Sequence, residues 1–243
     1  MSDKLTHECG IALIRLLKPP EYFYEKYGTN LYGFQKLFLL MEKQHNRGQD
    51  GAGIGAMKLG VDVGKPFMFR ERSMETNALA TIFHEQLARY DQMKADGIIH
   101  PEFPKTVKNN FEYSAEMLLG HLRYGTSGGY GTSSCHPYFR RSNWPTKNLL
   151  LAGNFNMTNM ESLNLNMIGQ GQHPIFDTDT QSILESIGNR LDQEHDRIWD
   201  SFSGEKLQGR DLADAVGEAM DPVRILTEVS GEWDGGYVIA GLI

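Results

Sequence analysis

Short apolar runs bounded by glycine recur at residues 10–17, 51–59, 117–124, 149–155 and 236–243, each with the length of a strand rather than a helix. Their nearly continuous apolar character predicts that most are strands buried on both faces or nearly so. Between them a different period appears. Phe34, Leu37, Phe38 and Met41 fall at i, i+3, i+4 and i+7, the stripe of a helix over residues 32–44. Ile183, Leu184, Ile187 and Leu191 repeat that spacing, and Thr178, Asp179 and Thr180 stand before them as cap residues for a first turn. Leu79, Ile82, Phe83, Leu87 and Tyr90 mark another helix over residues 78–94, broken by Gly97, Pro101 and Pro104. Residues 75–115 therefore read as a helical insertion. Leu212, Val216 and Met220 make a last stripe, ended by Asp221-Pro222. With no tandem repeat, low-complexity tract or long linker, the pattern predicts one α+β domain with sheets sandwiched between helices.

At 243 residues, 40% hydrophobic and 23% charged, the chain is long enough to bury a substantial core. A net charge of −7 and a pI near 5.6 provide no general attraction to phosphate backbones or anionic lipid, so nucleic-acid and membrane roles are disfavoured. Asp3, Lys4, His7 and Glu8 interrupt any signal-peptide core, and the expected location is the cytoplasm. Two cysteines, Cys9 and Cys135, are too few for a disulfide framework or a four-thiolate cluster.

Cys9 lies in Glu8-Cys9-Gly10-Ile11-Ala12-Leu13-Ile14, an acid and a Cys-Gly pair leading into an apolar strand. If the peptide bond before Cys9 is cut, one residue carries both nucleophile and base. A free thiol has a pKa of about 8.5 and an α-amine about 7.7–8.0, so the amine can take the proton that the thiol releases. The alternative is a small buried hydrophobe at a strand start. His7 with Cys9, and Cys135 with His136, lack the spacing of a zinc site, and no metal is expected. Gly51 and Gly53 suit tight backbone packing better than phosphate binding, since no Lys-Ser/Thr follows them. Gly125, Gly128, Gly129 and Gly131 form a Gly-rich loop beside Arg123 that reads equally as a lid or as a plain turn cluster.

Five segments stand beside the predicted strands: Glu8-Cys9-Gly10-Ile11, Arg47-Gly48-Gln49-Asp50-Gly51-Ala52-Gly53, Gly120-His121-Leu122-Arg123-Tyr124-Gly125-Thr126, Asn154-Phe155-Asn156-Met157-Thr158-Asn159 and Thr178-Asp179-Thr180. In this order they resemble class II glutamine amidotransferases, and most of all the glutaminase half of the amidophosphoribosyltransferases. The resemblance runs from Cys9 to Asp234-Gly235-Gly236-Tyr237-Val238-Ile239. It implies an N-terminal-nucleophile hydrolase fold, a four-layer αββα sandwich of two mainly antiparallel sheets, over residues 9–243. It also implies that residues 1–8 are a propeptide removed to free Cys9. By the same resemblance Cys9 attacks glutamine, while the side-chain amide of Asn154 and the backbone N–H of Phe155 stabilise the oxyanion. Arg123 pairs with the substrate carboxylate, Asp179 accepts from its ammonium and Thr126 adds a hydroxyl. Arg47 and Gly48 support the nucleophile loop.

The chain departs from that family at two places. The family's Asn-Gly-Asn is here Asn154-Phe155-Asn156, which raises the question of whether a positive φ is needed where Phe155 stands. The family's His-Arg-Gly-Gln is here His45-Asn46-Arg47-Gly48-Gln49, so no role for the histidine transfers. No phosphoribosyltransferase segment is recognisable. The resemblance thus implies a glutaminase without a cofactor of its own, since Mg2+ and phosphoribosyl pyrophosphate belong to the missing domain. Its ammonia would pass to a phosphoribosyltransferase domain or subunit for phosphoribosylamine synthesis in purine biosynthesis; full-length relatives assemble as homo-oligomers. Two other readings stay open: the glutaminase domain of another amidotransferase, such as glucosamine-6-phosphate synthase, or a non-catalytic module that binds glutamine as a regulator.

Overall fold

The apolar run after Cys9 forms strand β1 (Gly10–Arg15) in the computed structural model of the chain, which describes residues 8–125, 131–173, 175, 178–202 and 204–243, the side chain of residue 133 excepted. Two compact units emerge. The first holds the described residues up to Pro137 together with Ala152–Asn154 and Leu242, and the second holds the rest.

After β1 the first unit adds α1 (Pro20–Tyr27), α2 (Tyr32–Glu42), β2 (Gly51–Met57), β3 (Met68–Ser73), α3 (Ala78–Ala95), α4 (Pro104–Asn110) and β4 (Met117–Arg123). Its sheet runs β1-β4-β2-β3 with every neighbouring pair antiparallel. The central strands β2 and β4 are buried along almost their whole length, as their apolar runs predict. Helix α2 packs on β1 and β4, and α3 on β2 and β3. Phe34, Leu37 and Met41 from α2 and Ile82 and Phe83 from α3 meet Ile54, Leu118 and Leu122 of the sheet in one core. Gly120 permits this approach, because a Cβ there would sit 2.4 Å from the Met41 sulfur. Residues 75–115 contribute to the same core through α3 and through Ile99, Val107 and Phe111.

The second unit contains β5 (Tyr138–Arg140), β6 (Leu149–Met157) apart from Ala152–Asn154, α5 (Met160–Gly169), α6 (Asp179–Ser201), α7 (Gly209–Ala219), α8 (Pro222–Ser230) and β7 (Gly235–Leu242) apart from Leu242. Its sheet order is β5-β6-β7, with β5 antiparallel to β6. Ile183, Leu184, Ile187 and Leu191 of α6 are buried in its core. The Thr178 hydroxyl accepts from the Gln181 N–H at 3.3 Å, so the cap read from the sequence is made. Arg140 lies over Gly188, where a Cβ would come within 2.4 Å, and pairs with Asp192 and Glu185. Strand β7 departs from the expected two-sided burial. It is an edge strand, and Val238 is 64% exposed. The chain is thus α+β with two antiparallel-paired sheets, and no described helix is long and apolar enough to cross a membrane.

Candidate active site

The β1–β4 register places Gly10 opposite Leu122, which brings the residue before β1 level with the end of β4. Cys9 therefore lies against Tyr124. The Tyr124 N–H approaches Sγ at 3.5 Å, and the thiol reaches the Tyr124 carbonyl at 3.9 Å. Partial burial pushes the Cys9 thiol above its ordinary value; the Tyr124 backbone and the Arg123 charge oppose that shift without overcoming it. A thiol so raised is largely protonated near neutral pH and needs a base to become a nucleophile. The neighbouring Glu8 carboxylate pairs with Arg47 at 3.0 Å, and Gln44 Nε2 donates to the Ile11 carbonyl at 3.2 Å, fixing the start of β1.

Arg123 ends β4 and is only 6% exposed. Its Nη1 donates to Ser134 Oγ at 2.6 Å and lies 3.6 Å from the Met74 sulfur. The segment after α2 wraps the Arg123 backbone. Gly48 crosses β4 so closely that a Cβ would lie 2.7 Å from the carbonyl carbon and oxygen of Arg123. Two residues on, the Asp50 N–H donates to the Arg123 carbonyl at 3.0 Å, and the Asp50 carboxylate accepts from the Gly125 N–H at 2.8 Å. Thr126, Gly128 and Gly129 lie outside the described residues.

His121, two residues before Arg123 and so on the same face of β4, points to a second centre. Its Nε2 meets the Gly153 carbonyl at 3.1 Å, while the Gly153 N–H donates to His136 Nδ1 at 3.0 Å. The two imidazoles stack with centroids 4.2 Å apart. Burial, helped by the Arg123 charge and resisted by the Gly153 hydrogen bond, pushes His121 down to about 4. His136 is also held well below its ordinary value, first by burial and then by His121. The half-buried Asn154 follows Gly153 directly.

Phe155 stands in β6 and packs against the core of the second unit. Among the described residues only Asn77 is a non-glycine with positive φ, so Phe155 occupies its place without left-handed strain. Asp179 begins α6 in the second unit, and its carboxylate accepts from the Met157 N–H at 2.9 Å.

Of the residues singled out in the sequence, Cys9, Arg47, Gly48 and Arg123 gather at one end of the first unit's sheet, and Asn154 joins that unit through Gly153. Phe155 and Asp179 belong to the second unit. Four residues of the first unit carry contacts that the sequence reading did not assign: Asp50, Ser134, His121 and His136. The alternation of His121 with Arg123 along one strand was the available signal for the third. Asp50 had only its place in the Arg-Gly-Gln-Asp run, and nothing local marked Ser134.

No family model matches the chain. Among curated proteins it is similar to the amidophosphoribosyltransferase of Methanocaldococcus jannaschii, 26% identical over 133 residues that make up 54% of this chain and 26% of that protein. It is also similar to the amidophosphoribosyltransferase of Pasteurella multocida, 23% identical over 65% of this chain and 28% of that protein. The corresponding protein of Archaeoglobus fulgidus is 28% identical over 54% of this chain and 30% of its own length. The chain thus spans between 26% and 30% of the length of these relatives. Among solved structures, a glutamine phosphoribosylpyrophosphate amidotransferase from B. subtilis, complexed with ADP and GMP, aligns over 96% of this chain and 35% of its own, at 18% identity and a TM-score of 0.47.

Proposed function

We propose that this chain is the glutaminase part of an amidophosphoribosyltransferase-like enzyme and hydrolyses glutamine to glutamate and ammonia at Cys9. The observation that carries the reading is the position of the Cys9 sulfur against Tyr124, one residue beyond the buried guanidinium of Arg123. A nucleophile and a cation suited to an α-carboxylate share one sheet end. The similarity to proteins named amidophosphoribosyltransferase supports glutamine as the substrate and, in this reading, phosphoribosylamine for purine biosynthesis as the destination of the ammonia.

In this reading residues 1–8 are removed, and the freed amine of Cys9 takes the thiol proton. The sulfur attacks the carboxamide carbon, and the Asn154 side-chain amide with the Phe155 N–H stabilises the oxyanion. The amine's proton passes to the departing nitrogen, the C–N bond breaks and ammonia leaves. Water then attacks the thioester, the C–S bond breaks, and glutamate and the thiol are released. Arg123 binds the substrate carboxylate, Thr126 adds a hydroxyl contact and Asp179 accepts from the substrate ammonium. Arg47 loses its Glu8 partner when the leader goes, while Gly48 keeps the loop against β4.

Ammonia release from glutamine, measured beside the intact mass of the same sample, tests the proposal. Active protein beginning at Cys9, covalent labelling of that residue by a diazoketone analogue of glutamine, and a silent Cys9→Ser variant are the expected results. Turnover by Cys9→Ser removes the thiol from the reaction. Full activity in protein that retains residues 1–8 removes the amine as base.

A further inference from the structure

The stacked imidazoles of His121 and His136 sit outside the proposed reaction, yet both are buried and both hold the residue before the proposed oxyanion donor. Resting on the glutaminase reading above, we infer that this pair is a clamp that positions Asn154 by gripping both backbone polar groups of Gly153. Hydrogen-bond roles fix the tautomers. The Gly153 carbonyl only accepts, so His121 carries its proton on Nε2; the Gly153 N–H only donates, so His136 Nδ1 is bare. His121 Nδ1 has no hydrogen-bond partner among the described residues, so the ring is oriented by its bond to Gly153 and its stack on His136. A buried imidazole left with one unmade bond is retained at a cost, and the single bond it makes is to the residue next to Asn154.

The clamp is tied to the rest of the proposed site through the segment 134–136. Ser134 accepts from Arg123, Cys135 Sγ donates to the Ala52 carbonyl at 3.3 Å, and His136 accepts from Gly153. Gly53 makes room for this segment, because a Cβ there would fall 1.9 Å from the His136 carbonyl oxygen. One short segment therefore braces both the proposed carboxylate-binding guanidinium and the strand that bears the proposed oxyanion donor. His121 and His136 are positioning residues. They act through Asn154, not on the substrate.

The test combines steady-state kinetics with a double-mutant cycle and a readout that needs no turnover. His121→Ala is expected to lower kcat by about 10- to 100-fold with KM for glutamine within about twofold, because a misplaced donor is lost mainly in the transition state. His121→Gln keeps an N–H for the Gly153 carbonyl and His136→Asn keeps an acceptor for the Gly153 N–H; each is expected to retain most of kcat. Combined with Asn154→Ala, His121→Ala should add less than about threefold to the loss from Asn154→Ala alone. Full multiplicative losses in that cycle, or a His121→Ala effect confined to KM, overturn the clamp. Hydrogen exchange at the Gly153 amide separates the two levels. Protection that is lost in His136→Ala and kept in His136→Asn supports the clamp even where glutamine is not turned over, whereas unchanged exchange in His136→Ala overturns it. Gly53→Ala, which displaces His136 without touching either ring, is expected to reproduce the His136→Ala exchange.

Discussion

At the scale of single residues, the balance at Cys9 decides reactivity. Its thiol is raised by burial, and the nearest opposing influences are the Tyr124 backbone and the Arg123 charge. While residues 1–8 remain attached, alkylation of Cys9 by iodoacetamide should therefore climb with pH above the range of an ordinary exposed thiol. Arg123→Gln removes a lowering charge and should move the profile further up. Peptide mass spectrometry across a pH series reads both, with Cys135 as an internal control: burial raises that thiol to about 11, and its sulfur is inaccessible. A profile that Arg123→Gln leaves in place disproves the coupling. Cys9, Arg47, Gly48 and Arg123 were legible because each sits in a polar, glycine-bearing segment abutting an apolar run. Ser134 and His136 were not, since their contacts to Arg123 and Gly153 span 11 and 17 positions and leave no local pattern. For Phe155 the sequence raised a question of backbone strain, which the ordinary φ of that position answers.

Among the elements, those with continuous apolar runs or a clear 3.6 period were legible: β1, β2, β4, β6, β7, α2, α3, α6 and α7 all fall on segments named from periodicity. Strand β3 was not. It reads Met-Phe-Arg-Glu-Arg-Ser and forms the outer strand of its sheet, half-buried without an apolar run because Arg70 and Arg72 donate to the Pro137 and Cys135 carbonyls. Strand β5 spans only three residues, too few for a period to show. Helix α5, rich in Asn and Met, buries only Leu163 and Met167 and gives no stripe. Two substitutions probe how elements are held. Thr178→Ala removes the cap of α6 and should cost about 1 kcal/mol in denaturant unfolding, whereas Thr178→Ser should cost little. Gly48→Ala forces a Cβ onto the Arg123 backbone, which cannot swing aside as a side chain can. It is expected to destabilise by about 1–3 kcal/mol and to raise KM for glutamine, since the strand end bearing Arg123 must shift. Wild-type stability and KM in that variant exclude the close crossing.

For the molecule as a whole, acid is the condition that tests the interior. His121 falls from an ordinary 6.5 to about 4 on folding, because its buried ring resists charge and Arg123 repels a second cation. A depressed histidine means that the unfolded chain binds more protons than the folded one between those two values. Stability is therefore complete above pH 6.5 and is lost as pH falls toward 4, by about 3 kcal/mol from His121 alone. His136 acts in the same direction, since burial and His121 hold it down too. Glu194, paired with Arg197 and Arg224, is likewise held below its ordinary value, first by its hydrogen bond to Arg197. Its contribution is whole above its ordinary value of 4.5 and fades below it, in the same direction as the histidines but overlapping only the acid end of their window. Denaturant midpoints taken from pH 7 to pH 4 should fall steeply in wild type and less in His121→Gln, whose amide keeps the Gly153 bond without titrating. Equal slopes in the two proteins place the acid sensitivity elsewhere in the fold and leave the neutral imidazole pair without its thermodynamic signature.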